Sequence, residues 1–201
     1  MANPEIDPSS GQDKRKTDIL ENSISVFLRY GFRKTSMDDI ARAAGISRQG
    51  LYLYFSAKED LFKASVSYLL ETSLSSAKAK LSDKNYDIQD RLVNGFEEWM
   101  GRFIGVMGEG SGDLAEAGRT LVGNMIEDYE VLFQNSVGET IDSSYLKSYY
   151  KSNQISVKQL LENLYAVSKG LKYIAKSKED FRERFANSVN IICKPARRQK
   201  A

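Results

Sequence analysis

Apolar residues along this chain recur at steps of three and four. Ile19, Val26, Phe27 and Tyr30 follow helical spacing, Ser23 completes the stripe, and Gly31 stops the helix as a residue just past a helix end does. A second helix opens at Thr35 or Ser36, with Asp38 or Asp39 placed to complete a capping box, and turns Ile40, Ala41 and Ala44 inward. Gly45 then supplies the permissive backbone of a tight turn, and Ser47 caps a third helix through Tyr54, anchored by Ile46, Leu51 and Phe55. Glu59 to about Leu81 carries a long stripe of Phe62, Val66, Leu69, Leu70, Leu74, Ala77 and Leu81. Beyond the polar segment Ser82 to Tyr86, Ile88, Leu92, Phe96, Trp99, Phe103 and Val106 continue the period. Glycines at 101, 105, 108, 110 and 112 end that helix in a loop. Asp113 to about Gln154 reads as two helices broken near Asp128, with Gly138 as the rival break. The last two helices run from Val157 to about Ala175 and from Glu179 to Cys193, the second capped by Ser177 with Asp180.

The three prolines, Pro4, Pro8 and Pro195, all sit in the tails, so none interrupts these stripes. The expected fold is all-α, with about nine helices. A three-helix head with a helix-turn-helix occupies residues 13–58 and a larger helical body residues 59–193. They lie between a polar, disordered arm (1–12) and a solvated basic tail (194–201).

Net charge is only +2, so any affinity for a polyanion must come from where the charges sit. Lys14, Arg15 and Lys16 at the start of the first helix form one such cluster, equally readable as a solvated helix end. With a single cysteine, Cys193, and no histidine, internal disulfides, zinc fingers and imidazole-based triads are excluded; no cofactor and no metal are expected, and the chain reads as no enzyme. The Gly108–Gly112 run lacks the Lys-Ser/Thr ending of a phosphate-binding loop and follows no strand. No apolar run approaches the roughly 20 residues that span a bilayer, and the N-terminus has no secretory pattern, so the expected location is the cytoplasm.

Thr35 to Lys58 has the pattern of two short helices around a glycine turn, as in motifs that lay their second helix in the major groove. The longer run GFRKTSMDDIARAAGISRQGLYLYFSAKEDL, Gly31 to Leu61, resembles the N-terminal signature of TetR-family transcriptional regulators. Three positions depart from that pattern: Gln49 where Gly is frequent, Gly50 where Thr or Ala is usual, and Ala57 where Ser or Asn commonly opens the next helix. Ser56 with Glu59 offers a substitute cap one residue earlier.

The resemblance implies a sequence-specific DNA-binding regulator. Arg48, Gln49 and Gly50 would lie on the base-reading face, where Arg grips guanine and Gln adenine. Thr35, Ser36, Tyr52, Tyr54 and Lys58 would hold phosphates. It further implies a homodimer, closed through Leu164, Ser168, Leu171, Phe181, Phe185, Ser188 and Ile192, with packing inside one chain as the competing explanation. A dimer would place two recognition helices in successive major grooves about 34–36 Å apart, on a roughly palindromic operator. Trp99, Met100, Phe103, Met107, Met125, Tyr129, Phe133 and Tyr165 are candidates to line a cavity for a small, largely apolar or aromatic effector, each also readable as plain core. The resulting expectation is a repressor released from double-stranded DNA by that effector. The alternative is a DNA-organising or partner-binding protein with the same head and no effector.

Overall fold

The computed structural model describes residues 8–101, 104 and 111–193. Among them it contains ten α-helices, α1 (Pro8–Tyr30), α2 (Met37–Ala43), α3 (Arg48–Tyr52), α4 (Lys58–Ser82), α5 (Ile88–Trp99), α6 (Ser111–Ala117), α7 (Met125–Asp142), α8 (Tyr145–Ser152), α9 (Val157–Ile174) and α10 (Lys178–Cys193). A π-helical turn, Gly118–Val122, follows α6. The all-α expectation holds, with one helix more than expected.

Helix ends lie where side chains can satisfy the first amides. Ser36 and Asp39 close a full capping box on α2, as Ser156 and Gln159 do on α9. Asp87 caps α5, and the Ser177 hydroxyl accepts from the Asp180 amide at the start of α10. Three expectations are corrected. Helix α1 begins at Pro8, ahead of Asp13, because proline fits a first helical turn, where its missing amide goes unneeded; residues 1–7 of the predicted arm lie outside the described residues, as does the tail from 194. Ser56 does not pair with Glu59; its hydroxyl donates to Asp60 at 2.6 Å. Helix α7 runs unbroken through Asp128 and Gly138, and the breaks fall at Gly123, in the left-handed region at φ 62°, and at Ser143–Ser144.

The chain divides into two compact units. One holds α1 to α3, α4 as far as Leu70, and α6 with the π turn up to Met125. Its core gathers Ile19, Leu20, Phe27, Ile40, Leu51, Phe55, Leu61 and Phe62, closed by Ala117 and Val122. Phe27, Phe32 and Phe62 meet with centroids 5.1–5.9 Å apart. Arg33 ties the α1–α2 turn to α6, its amide donating to Asp113 at 2.6 Å and its guanidinium to Glu116 at 2.7 Å. Tyr30, expected on the inward stripe of α1, is instead half exposed beside Arg29.

The other unit holds the rest of α4, α5 and α7 to α10. Phe96 is its hub, 4.7 Å from Phe185 and 5.0 Å from Phe133, against which Trp99 stacks. Gly95 is required by packing: a Cβ there would lie 2.6 Å from Leu81 Cγ. Arg182 crosses from α10 to bond Asn94 and Glu97 of α5.

Candidate nucleic-acid interface

Local sequence fixes the α2–α3 pair. Gly45 sits at φ 63°, and a Cβ on it would meet nothing within 4 Å, so backbone conformation rather than space selects glycine here. The turn is closed by the Ile46 amide on the Ala41 carbonyl at 3.0 Å, and Arg15 of α1 donates to the Gly45 carbonyl at 3.2 Å. One member of the Lys14–Lys16 cluster thus braces the turn, while Lys14 and Lys16 remain exposed. Ser47 caps α3 by accepting from the Gly50 amide at 3.0 Å. Leu51, fully buried, holds the helix to the core and faces its other side outward.

Arg48 and Gln49 are both exposed at the start of α3. Arg48 is already engaged: it pairs with Asp38 of α2 at 3.0 Å, donates to the Tyr52 hydroxyl at 3.5 Å, and lies 5.6 Å from that ring's centroid. The Tyr52 hydroxyl first, and then the Asp38 carboxylate, raise the guanidinium pKa above its ordinary value. Gly50 has a local reason to lack a side chain, since a Cβ would press to 3.2 Å on the capping Ser47 hydroxyl.

The expected phosphate contacts divide. Tyr52 and Tyr54 are exposed beside α3. Ser36 is exposed, but its hydroxyl is spent on Asp39, whose carboxyl that hydroxyl and the Ser36 amide hold below its ordinary value. Thr35 is a correction: it is 2% exposed, and its hydroxyl donates to the Gly31 carbonyl at 2.6 Å, so it has none to offer DNA. Lys58 gives two of its three ammonium protons to the carbonyls of Phe32 and Thr35, each at 2.9 Å, over the Phe32 ring. It staples the α1–α2 turn to the start of α4. Sequence reasoning also passed over Arg29, Lys34 and Arg42. With Tyr30 and Asp39 they line an open groove of about 550 Å³ beside α2. Their clustering across two helices has no linear signature.

Of the cavity candidates, Phe103 and Met107 lie outside the described residues. Trp99, Met100 and Phe133 are buried, with Trp99 and Phe133 packed in the aromatic cluster of the second unit. Met125 is corrected: it packs against the core of the first unit, because the Gly123 break leaves it there. Tyr129 is half-buried, and burial followed by Glu71 raises its phenol pKa. Tyr165 is 9% exposed, and its hydroxyl has no partner in hydrogen-bond geometry. Burial, then the Glu130 carboxylate, push that phenol far up.

Among the dimer candidates, Leu164, Ser168, Phe181 and Phe185 are fully buried within their own chain, so intrachain packing accounts for them. Leu171, Ser188 and Ile192 are half-buried. The exposed apolar residues of α9 and α10 are others: Tyr173, Ile174 and Ile191.

Residues 19–65 match the family described as "Bacterial regulatory proteins, tetR family". The HTH-type transcriptional regulator YfiR of Bacillus subtilis is 42% identical over 78 residues, a match spanning 39% of this chain and 36% of that protein. The negative transcriptional regulator IcaR of the biofilm operon icaADBC, from Staphylococcus aureus, is 24% identical across 89% of this chain and 99% of its own. In fold, the chain is similar to a transcriptional regulator from Saccharomonospora viridis solved in complex with choline, with a TM-score of 0.66, 17% identity, and 89% and 97% of the two chains covered.

Proposed function

We propose that this chain, whose residues 19–65 match the tetR family of bacterial regulatory proteins, is a DNA-binding transcriptional regulator rather than an enzyme, and that it is a homodimeric repressor of a roughly palindromic operator, released by a small-molecule effector. The observation that carries DNA reading is the exposed start of α3, where Arg48 and Gln49 stand side by side on a helix locked from behind by Leu51. Arg48 would grip guanine N7 and O6, and Gln49 adenine N6 and N7. Tyr52 and Tyr54 would hold phosphates, with Arg29, Lys34 and Arg42 as additional cations along the backbone. Among the described residues no helix is long and apolar enough to cross a membrane; action on DNA in the cytoplasm is part of the proposal.

The buried Tyr165 hydroxyl, close to Glu130, Gln134 and Trp99 but outside hydrogen-bond geometry with them, supports an effector, since such a group gains by meeting a ligand acceptor or donor. The second reading, a DNA-binding protein without effector, draws support from the Phe96, Phe133 and Trp99 cluster, whose rings already pack on one another. Release requires that the effector favour a state whose two heads no longer match the operator spacing. The deciding experiment maps the DNA protected by the full chain upstream of its own gene, then screens metabolites and drugs for thermal stabilisation and for loss of binding to that DNA. The proposed switch predicts a compound that does both. Compounds that stabilise the protein while DNA stays bound favour the second reading.

A further inference from the structure

Leu53 directly follows the last residue of α3 and is 83% exposed, the most exposed large apolar side chain of its compact unit among the described residues. Its position is held rather than loose. Its backbone is helical, at φ −70° and ψ −23°, its amide donates to the Gly50 carbonyl, and the nearby Leu51 and Phe55 are buried, which leaves it no inward course. Helical geometry makes Leu53 the neighbour of Gln49 one turn on, just as Tyr52 is the neighbour of Arg48, a pair the structure shows in contact. Gln49 and Leu53 therefore form one outward stripe, a polar reader followed by an apolar one, separated by about 6 Å along the helix axis.

An aliphatic side chain on a surface that faces DNA gains nothing from a charged phosphate, and packing on a sugar carries no sequence information. The apolar feature the major groove offers is the thymine C5-methyl group. We infer that Leu53 reads a thymine methyl in the major groove, within two base steps of the base pair read by Gln49. This rests on α3 being the recognition helix. It adds a specificity determinant that polar contacts alone would not give: thymine, rather than cytosine or uracil, at one defined position of each half-site.

The test uses the full chain and a duplex selected by it from a random DNA pool. Each thymine is replaced in turn by deoxyuridine, which removes only the C5-methyl group, and binding is titrated for the wild type and for Leu53→Ala. One thymine per half-site is expected to cost the wild type about fourfold in affinity when replaced, the worth of one buried methyl. Leu53→Ala, matched to the wild type in thermal melting, is expected to bind the thymine and deoxyuridine duplexes equally. A wild type indifferent to every replacement, or a loss that persists in Leu53→Ala, overturns the inference while leaving α3 as reader. Selected DNA bound no better than random DNA overturns it together with the recognition-helix assignment.

Discussion

Arg48 and Lys58 are both cations of the same motif, and their surroundings give them opposite work. The Arg48–Asp38 pair is more than half exposed on the Arg48 side, so the bridge contributes little to stability and, under the proposed function, would be readily exchanged for a base edge. Lys58 has its charge turned inward onto two carbonyls distant in sequence, 26 and 23 residues away. A pattern read along the chain identifies both residues but cannot see those carbonyls. The two variants are expected to differ in kind. Arg48→Ala keeps its melting temperature and loses about 1–3 kcal/mol of discrimination at one base pair. Lys58→Met leaves two part-buried carbonyls without their donor and lowers stability by about 1–3 kcal/mol, with no change in which sequence is preferred. Thermal melts beside titrations on operator and random DNA, over a range of salt, separate the two.

Glycines show why element boundaries were only partly legible. Caps are local chemistry, so Ser36, Ser47 and Ser177 could be placed from sequence and stand where expected. Breaks inside the segment from residue 113 to 154 were not, since Gly123 and Gly138 look alike in a sequence and differ only in backbone angle. Gly123 takes φ 62° and separates the π turn from α7, whereas Gly138 lies inside α7. Gly95 differs again, pressed against Leu81 across the α4–α5 contact. These three environments predict two signs and three physical causes for one substitution. Gly138→Ala, open to space, is expected to stabilise by about 0.5–1 kcal/mol through helix propensity. Gly123→Ala is expected to cost about 1–2 kcal/mol in left-handed strain. Gly95→Ala is expected to cost about 1–3 kcal/mol by overpacking against Leu81. Urea unfolding of the three variants provides the comparison, and equal effects would refute the distinction.

For the molecule as a whole, the unresolved choice was which side of α9 and α10 turns away from the chain's own core. Helical periodicity finds an apolar stripe but cannot tell a stripe buried by intrachain neighbours from one left for a second copy. Leu164, Phe181 and Phe185 are consumed by the interior, whereas Tyr173, at 87% exposed, and Ile191, at 79%, are apolar side chains facing water on the same two helices. Such side chains are where a partner surface would sit. If that partner is a second copy, a charge placed there is buried unpaired at the contact yet harmless in the monomer. Tyr173→Glu with Ile191→Glu is therefore expected to sediment as a monomer with an unchanged far-UV spectrum, while Leu164→Glu would unfold its unit. Because each half-site then binds alone, the double variant should lose operator affinity by the 10²- to 10⁴-fold that linking two sites confers, and should retain the base preference of a single head. A dimer that survives both charges would place the symmetric contact elsewhere and leave these side chains to another partner.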